Sequence, residues 1–264
     1  KPITEEPATR EPPFAFTHVN GLMNVDVFLT YAAVTEDDVR GRAVVVIDVL
    51  RTCSTINTAL RNGARAVMPV PDMAEAGKIA ANLDPDVFRL GGERGDEKID
   101  GYHLGNSPFE YTKDEVEGRD VILNTTGGTK ALQRAKAARH LVAGSFLNVS
   151  RTARFLSAQE LGITIICAGH ENRMSLEDTL CAGALLYRLW NGHEPGHVSD
   201  AAHTAYSLLL HNIGDVGTTL RSSTHARHLA ENGCADDVGY CYRLDQIPVL
   251  PYYTDNRLVL RGDD

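Results

Sequence analysis

Five stretches of the chain read as short strands of almost unbroken apolar residues, and each leads into a helix-like run. They are RAVVVIDV (42–49), ARAVMPV (64–70), RDVILN (119–124), RHLVAGS (139–145) and GITIICAG (162–169). Alternation of this kind confines the fold to the α/β class, a layered mixed or parallel sheet with flanking helices. Helices are expected over CSTINTALRNG, which ends at Gly63, and over DMAEAGKIAANL, where Asp72 and Glu75 stand at capping-box spacing. Another starts at SLEDTLCAGALLYRLWNG (175–192), and the chain beyond residue 196 reads as largely helical. VFRL (87–90) reads as a short strand leading into GGERGDEKIDGYHLGNSP (91–108), whose glycines make it too irregular for core structure. RLVLRG (257–262) is expected to pair at a sheet edge.

Residues 1–16, KPITEEPATREPPFAF, form a proline- and charge-rich tail without an apolar signal core. The remainder, 17–264, is one domain large enough to bury a sizeable core, or two packed α/β lobes meeting near residue 118 with a site between them. A net charge of −9 excludes nonspecific nucleic-acid binding, which needs a positive field. Five cysteines with no C-x-x-C pair suit reduced thiols, and hence the cytoplasm, better than a disulfide framework or a zinc site. No apolar run approaches the ~20 residues needed to cross a bilayer, so no membrane partner is expected.

The informative polar residues gather where a strand's carboxyl end steps into the next helix. There lie Asp48, Arg51, Thr52, Ser54 and Thr55; the turn Asn124, Thr125, Thr126, Gly127, Gly128 and Thr129; Ser145 and Asn148; and residues 169–178. Ligands of open α/β sheets bind at such edges, where helix N-termini favour anions. Capping and tight turning account for any one of these loops equally well. NTTGGT is richer than capping requires, yet it lacks the lysine of a nucleotide-binding P-loop.

Acidic residues at the same end point to a cation. Asp48 closes an apolar strand, a costly place for a carboxylate without a positive partner; a metal or Arg51 could supply the charge. Glu93 sits beside Arg94 in the glycine-rich segment. Asp178 fits a capping box with Ser175, leaving Glu177 open. Oxygen ligands beside a phosphate-binding edge match Mg2+.

Other motifs mislead. HEPGH (193–197) satisfies H-E-x-x-H, but Pro195 and Gly196 prevent the helix that zinc binding needs, so it is a turn. RGD (261–263) and the two glycosylation sequons are chance matches. Cys53 lacks the C-x5-R loop of cysteine phosphatases, and Asp48 lacks a second acid two positions on.

Together the blocks VVIDVLRTCSTI (45–56), LGGERG (90–95), GNSPFEY (105–111), LNTTGGTKAL (123–132), GSFLNVS (144–150) and ICAGHENRMSLEDTLCAGAL (166–185) resemble the Mg2+-dependent 2-phosphosulfolactate phosphatases, the ComB family. SSTHARHLAENG and DDVGYC look like the same family's tail. The resemblance implies a ComB-like fold and hydrolysis of (2R)-2-phospho-3-sulfolactate to sulfolactate and phosphate. Another small 2-phospho-acid is the alternative substrate, and a metabolite-binding protein without turnover is the alternative class. The chain departs from the family's pattern at Cys53, at Gly128 and at His170-Glu171-Asn172. Asp48, Arg51 and Glu93 are the expected catalytic residues, and Asp48, Glu93 and Glu177 the expected ligands of Mg2+. Arg94, Asn106, Ser107, Asn124, Thr125, Thr126, Gly128, Thr129, Ser145 and Asn148 are expected around the anionic phosphoester, with His170 a candidate general acid. A homodimer is compatible with the resemblance.

Overall fold

The computed structural model describes residues 24–192 and 198–262. The N-terminal tail, the HEPGH turn and the last residue of RGD lie outside that range. In chain order the strands are β1 (Val25–Phe28), β2 (Ala43–Ile47), β3 (Ala66–Pro69), β4 (Phe88–Arg94), β5 (Glu97–Lys98), β6 (Asp120–Asn124), β7 (His140–Gly144), β8 (Ile163–Cys167), β9 (Pro251–Thr254) and β10 (Arg257–Leu260). The α-helices are α1 (Thr52–Arg61), α2 (Met73–Ala80), α3 (Lys113–Val116), α4 (Gly128–Arg134), α5 (Val149–Ser157), α6 (Leu176–Leu189), α7 (Asp200–Asn212), α8 (Val216–Arg221), α9 (Thr224–Glu231) and α10 (Ala235–Cys241).

The strands join in the order β1-β8-β2-β7-β9-β10-β3-β6-β4-β5. Two parallel groups, β1-β8-β2-β7 and β3-β6-β4, are bridged by the β9–β10 hairpin. The hairpin meets each group through a single antiparallel register pair, Val142 with Tyr252 and Val67 with Leu258. RLVLRG therefore lies inside the sheet and not at its edge. Being short and last in the chain it looked like an edge strand, but Leu258 is fully buried between β9 and β3. Gly118 falls in the turn before β6, and β6 lies between β3 and β4.

Both faces of the sheet are covered, which is why its strands read as continuous apolar runs. Ala43, Val45 and Ile47 of β2 pack with residues of α5, α6 and α7, while Val44 and Val46 pack with α1 and α4 on the opposite face. Burial of each such side chain contributes roughly 1.5–3 kcal/mol. In the second group Ile122 joins Ala76 of α2 under a smaller outer cluster. Among the described residues no helix is long and apolar enough to cross a membrane.

The glycine-rich segment corrects the expectation of irregularity, because β4 runs straight through Gly91 and Gly92 to Arg94. A Cβ on Gly91 would meet the Tyr111 hydroxyl at 2.1 Å, and one on Gly92 the Asn124 carbonyl at 2.0 Å. Glycine is there to let neighbouring structure approach, and the strand survives its poor propensity. The largely helical stretch expected beyond residue 196 is divided at TTLRSSTHARHLAENG, since Ser223 caps a new helix and its hydroxyl accepts from Ala226 N–H.

Candidate active site

Asp48 follows the last residue of β2, and only 6% of its surface is exposed. Its Oδ1 accepts from Thr52 N–H at 3.1 Å, and its Oδ2 is turned toward Gly127 and Gly128 of the NTTGGT turn. A Cβ on Gly128 would lie 2.5 Å from that Oδ2 and 2.5 Å from Thr52 Cβ. Gly128 thus lets α4 start directly against the β2–α1 step. The Leu50–Arg51 peptide in that step is cis.

The same turn grips Glu93 at the end of β4. Thr126 donates its N–H to Glu93 Oε1 at 2.6 Å and its hydroxyl to Oε2 at 2.9 Å. Arg94 donates to the Asn124 side chain and, at 2.7 Å, to the Glu93 carbonyl. Thr125 and Thr129 cap one another, with Thr129 N–H on Thr125 Oγ1 at 3.3 Å and Thr129 Oγ1 on the Thr125 carbonyl at 2.9 Å. Thr52 Oγ1 reaches Thr125 Oγ1 at 3.1 Å. Carboxyl ends from the two parallel groups, β2 on one side and β4 with β6 on the other, therefore meet at one place.

Other expected residues spend their polar groups on the protein itself. Arg51 is 3% exposed and donates to Asp237 of α10 at 2.7 Å and to the Asp96 carbonyl at 3.0 Å. Ser107 donates to the other oxygen of Asp237 at 2.6 Å. The Asn106 carbonyl accepts from Thr55 Oγ1 at 2.8 Å, while its buried Oδ1 has no partner among the described residues. Ser145 and Asn148 form a reciprocal cap, tied to Asn57 of α1 and to the Val249 carbonyl. They brace the sheet edge, and none of their described bonds reaches Asp48.

A second layer of charge lies behind Asp48. Asp178 accepts from Val49 N–H at 2.8 Å and from Gly169 N–H at 2.9 Å, stapling the ends of β2 and β8 together. Its N–H donates to Ser175 Oγ at 3.4 Å, half of the expected capping box. Glu177 is 2% exposed; its Oε1 lies 3.5 Å from His225 Nδ1, and its Oε2 has no hydrogen-bond partner among the described residues. His225 Nε2 contacts Asp96 Oδ1 at 3.0 Å, and its ring stacks on His170 at 4.1 Å. Burial pushes Asp48 up to about 6, opposed by hydrogen bonds from Thr52 and by the His225 charge and helped by Glu93. Burial beside Asp48 and Glu177 also holds Asp178 well above the usual carboxylate range. For His225 burial works against the charged ring, but its bonds to Asp96 and Glu177 prevail and raise it to about 10. Burial, then the His225 charge, lowers His170. The Cys53 thiol is pushed far up by burial and then by Asp48, so it is no nucleophile.

A family model described as 2-phosphosulpholactate phosphatase matches residues 28–256. The chain belongs to that family. It is 37% identical over 231 residues to a "probable 2-phosphosulfolactate phosphatase" of Caldanaerobacter subterraneus subsp. tengcongensis, covering 87% of this chain and 95% of the relative. A protein of the same description from Symbiobacterium thermophilum is 39% identical over 224 residues, covering 85% and 96%. One from Gloeobacter violaceus is 35% identical over 241 residues, covering 91% and 99%.

This phosphatase-family chain holds no group of three or more His, Cys, Asp or Glu side chains suited to a metal among its described residues. The expected trio of Asp48, Glu93 and Glu177 is therefore not a preformed cage. Both Glu93 oxygens are already used by Thr126 and by Asp96 N–H. What remains is Asp48 Oδ2 and the orphaned Glu177 Oε2, both oxygen donors. In donor type each suits Mg2+, which takes one or two carboxylates and completes its shell with water and substrate oxygens. Sequence reasoning missed Asp96, His225 and Asp237. Only the two histidines of SSTHARHLAENG hinted at them, since nothing local says that α9 and α10 return to the strand ends.

Proposed function

We propose that the protein is a phosphomonoester hydrolase acting on 2-phosphosulfolactate, with Asp48 as its central carboxylate. The observation that carries the reading is this acid, buried at the meeting point of β2, β4 and β6, with one oxygen turned to a glycine pair and no neutralising partner in contact among the described residues. Family membership supports the substrate class, a small acid bearing phosphate beside other negative groups.

Mg2+ would be held by Asp48 Oδ2 with Glu177 Oε2 and would neutralise charge on the phosphoryl oxygens and the leaving alkoxide. Thr52 N–H keeps the Asp48 carboxylate oriented, and burial keeps bulk water from competing with the phosphoester. Glu93 holds Thr126 so that the turn stays pressed to the β2–α1 step. Arg94, an exposed residue whose guanidinium is held by Asn124 and the Glu93 carbonyl, would meet the substrate's carboxylate or sulfonate with its remaining N–H groups. Arg51 acts from behind, through Asp237 and Asp96. His170 favours the neutral form, and it would take up or give a proton through its ring nitrogens, which lie in the plane of the ring and not in the face stacked on His225.

Steady phosphate release from 2-phosphosulfolactate, compared with phospholactate and phosphoglycolate, tests the reading. Release should be greatest with the sulfonate, vanish in EDTA and return with Mg2+. A protein that binds these acids without releasing phosphate would overturn the assignment, and full activity in chelator would remove the metal.

A further inference from the structure

The turn between β4 and β5 puts aspartate at a position that glycine fills most often. Glu93 pairs with Lys98 and Arg94 with Glu97, so Gly95 and Asp96 are the two residues of a tight hairpin. Both have positive φ, +60° and +68°. Turns of this kind favour Asn-Gly or Asp-Gly, with glycine second. Here glycine comes first and the left-handed second position is held by an aspartate, where glycine would be the relaxed choice.

That aspartate touches three separated parts of the molecule. Its N–H donates to Glu93 Oε2 at 3.2 Å, its carbonyl accepts from Arg51 at 3.0 Å, and its Oδ1 meets His225 Nε2 at 3.0 Å. Of these three only the last is made by the side chain, whose carboxylate also stands near Arg51 and His228. His225 in turn spans to Glu177.

We infer that Asp96 is a positioning residue of the active site: through its carboxylate it fixes the His225 imidazole against Glu177 and so registers α9 onto the carboxyl ends of β2 and β4. This rests on the phosphatase reading above. The choice at residue 96 follows from it, because glycine would keep both backbone contacts and lose the bridge, together with the longer carboxylate contacts to Arg51 at 3.8 Å and His228 at 3.6 Å.

The test is a double-mutant cycle of Asp96→Gly and His225→Ala, read on kcat and KM for phosphate release. Asp96→Gly should lower kcat/KM about 10- to 100-fold, the usual effect of removing a partner that orients a site ligand. Asp96→Asn, which tolerates the left-handed turn and keeps an acceptor for His225, should recover most of the loss. The double variant should be no slower than the slower single one, because the two act as a unit. Multiplied penalties in the double variant, or an Asp96→Gly enzyme equal to wild type, would overturn the inference. A silent wild type would instead overturn the phosphatase reading; the same cycle is then read on orthophosphate affinity by calorimetry, where absence of coupling, or of binding, overturns the role of Asp96 as well.

Discussion

Replacing Asp48 by asparagine separates the chemistry from the fold. The carboxyl stands at about 6 against an ordinary 3.8, because it is buried. A group whose folded value is raised holds its proton more tightly in the folded chain. Its contribution to stability is therefore complete below 3.8 and is lost as pH rises through about 6. At ~1.4 kcal/mol for each pH unit, burying this titratable group costs the native state about 3 kcal/mol at pH 7.5 and about 1 kcal/mol at pH 4.5. Asparagine has no charge to desolvate, and its amide oxygen can still accept from Thr52 N–H. In the presence of EDTA, Asp48→Asn should raise the melting temperature at pH 7.5 by up to about 6–12 °C, taking about 2–4 °C for each kcal/mol in a chain of this size. At pH 4.5 the gain should shrink to roughly a third. Phosphate release should meanwhile fall by about 10²–10³-fold. Calorimetric scans at the two pH values provide the measurement. A variant that melts at or below wild type at pH 7.5, or a gap that does not depend on pH, would mean that a neighbouring cation already balances Asp48.

Gly128→Ala should destabilise the chain by about 1–3 kcal/mol in urea titration, because the new methyl meets Asp48 and Thr52 at 2.5 Å. The displacement it forces, on the order of 1 Å, should cost about a hundredfold in kcat/KM. Cys53→Ala should leave kcat in place, since that thiol is fully buried and far from ionising at neutral pH; a loss beyond about tenfold would restore it as a nucleophile.

How much the sequence disclosed varied with the range of the interaction. AVVVI, DVILN, HLVAG and ITIIC all became strands, because two-sided burial leaves a mark on every residue. Asp48, Glu93 and the threonine turn were placed together from their position after strands, and the structure brings them together. The strand through Gly91 and Gly92 was hidden because its glycines answer to Tyr111 and Asn124, contacts that local propensity does not register. The central place of Leu258 was hidden for the same reason. His225 and Asp237 escaped notice because they reach the site from helices that follow the last parallel strand by dozens of residues. Arg51 was expected to be catalytic or to balance Asp48, and nothing adjacent in sequence revealed that Asp237 and the Asp96 carbonyl take its two terminal nitrogens.

The β9–β10 hairpin has a consequence for how the molecule is made. β7 and β3 are interior strands only because this hairpin lies between them. During synthesis from the N-terminus, both parallel groups are complete long before residue 250 emerges, and each then carries an unpaired rim capable of joining another nascent chain. Closure between Val67 and Leu258 joins positions separated by more than two thirds of the sequence, so it comes late and at a high loop-closure cost. The final strands act as a seam, and until it closes the growing polypeptide is at its most exposed to misassembly.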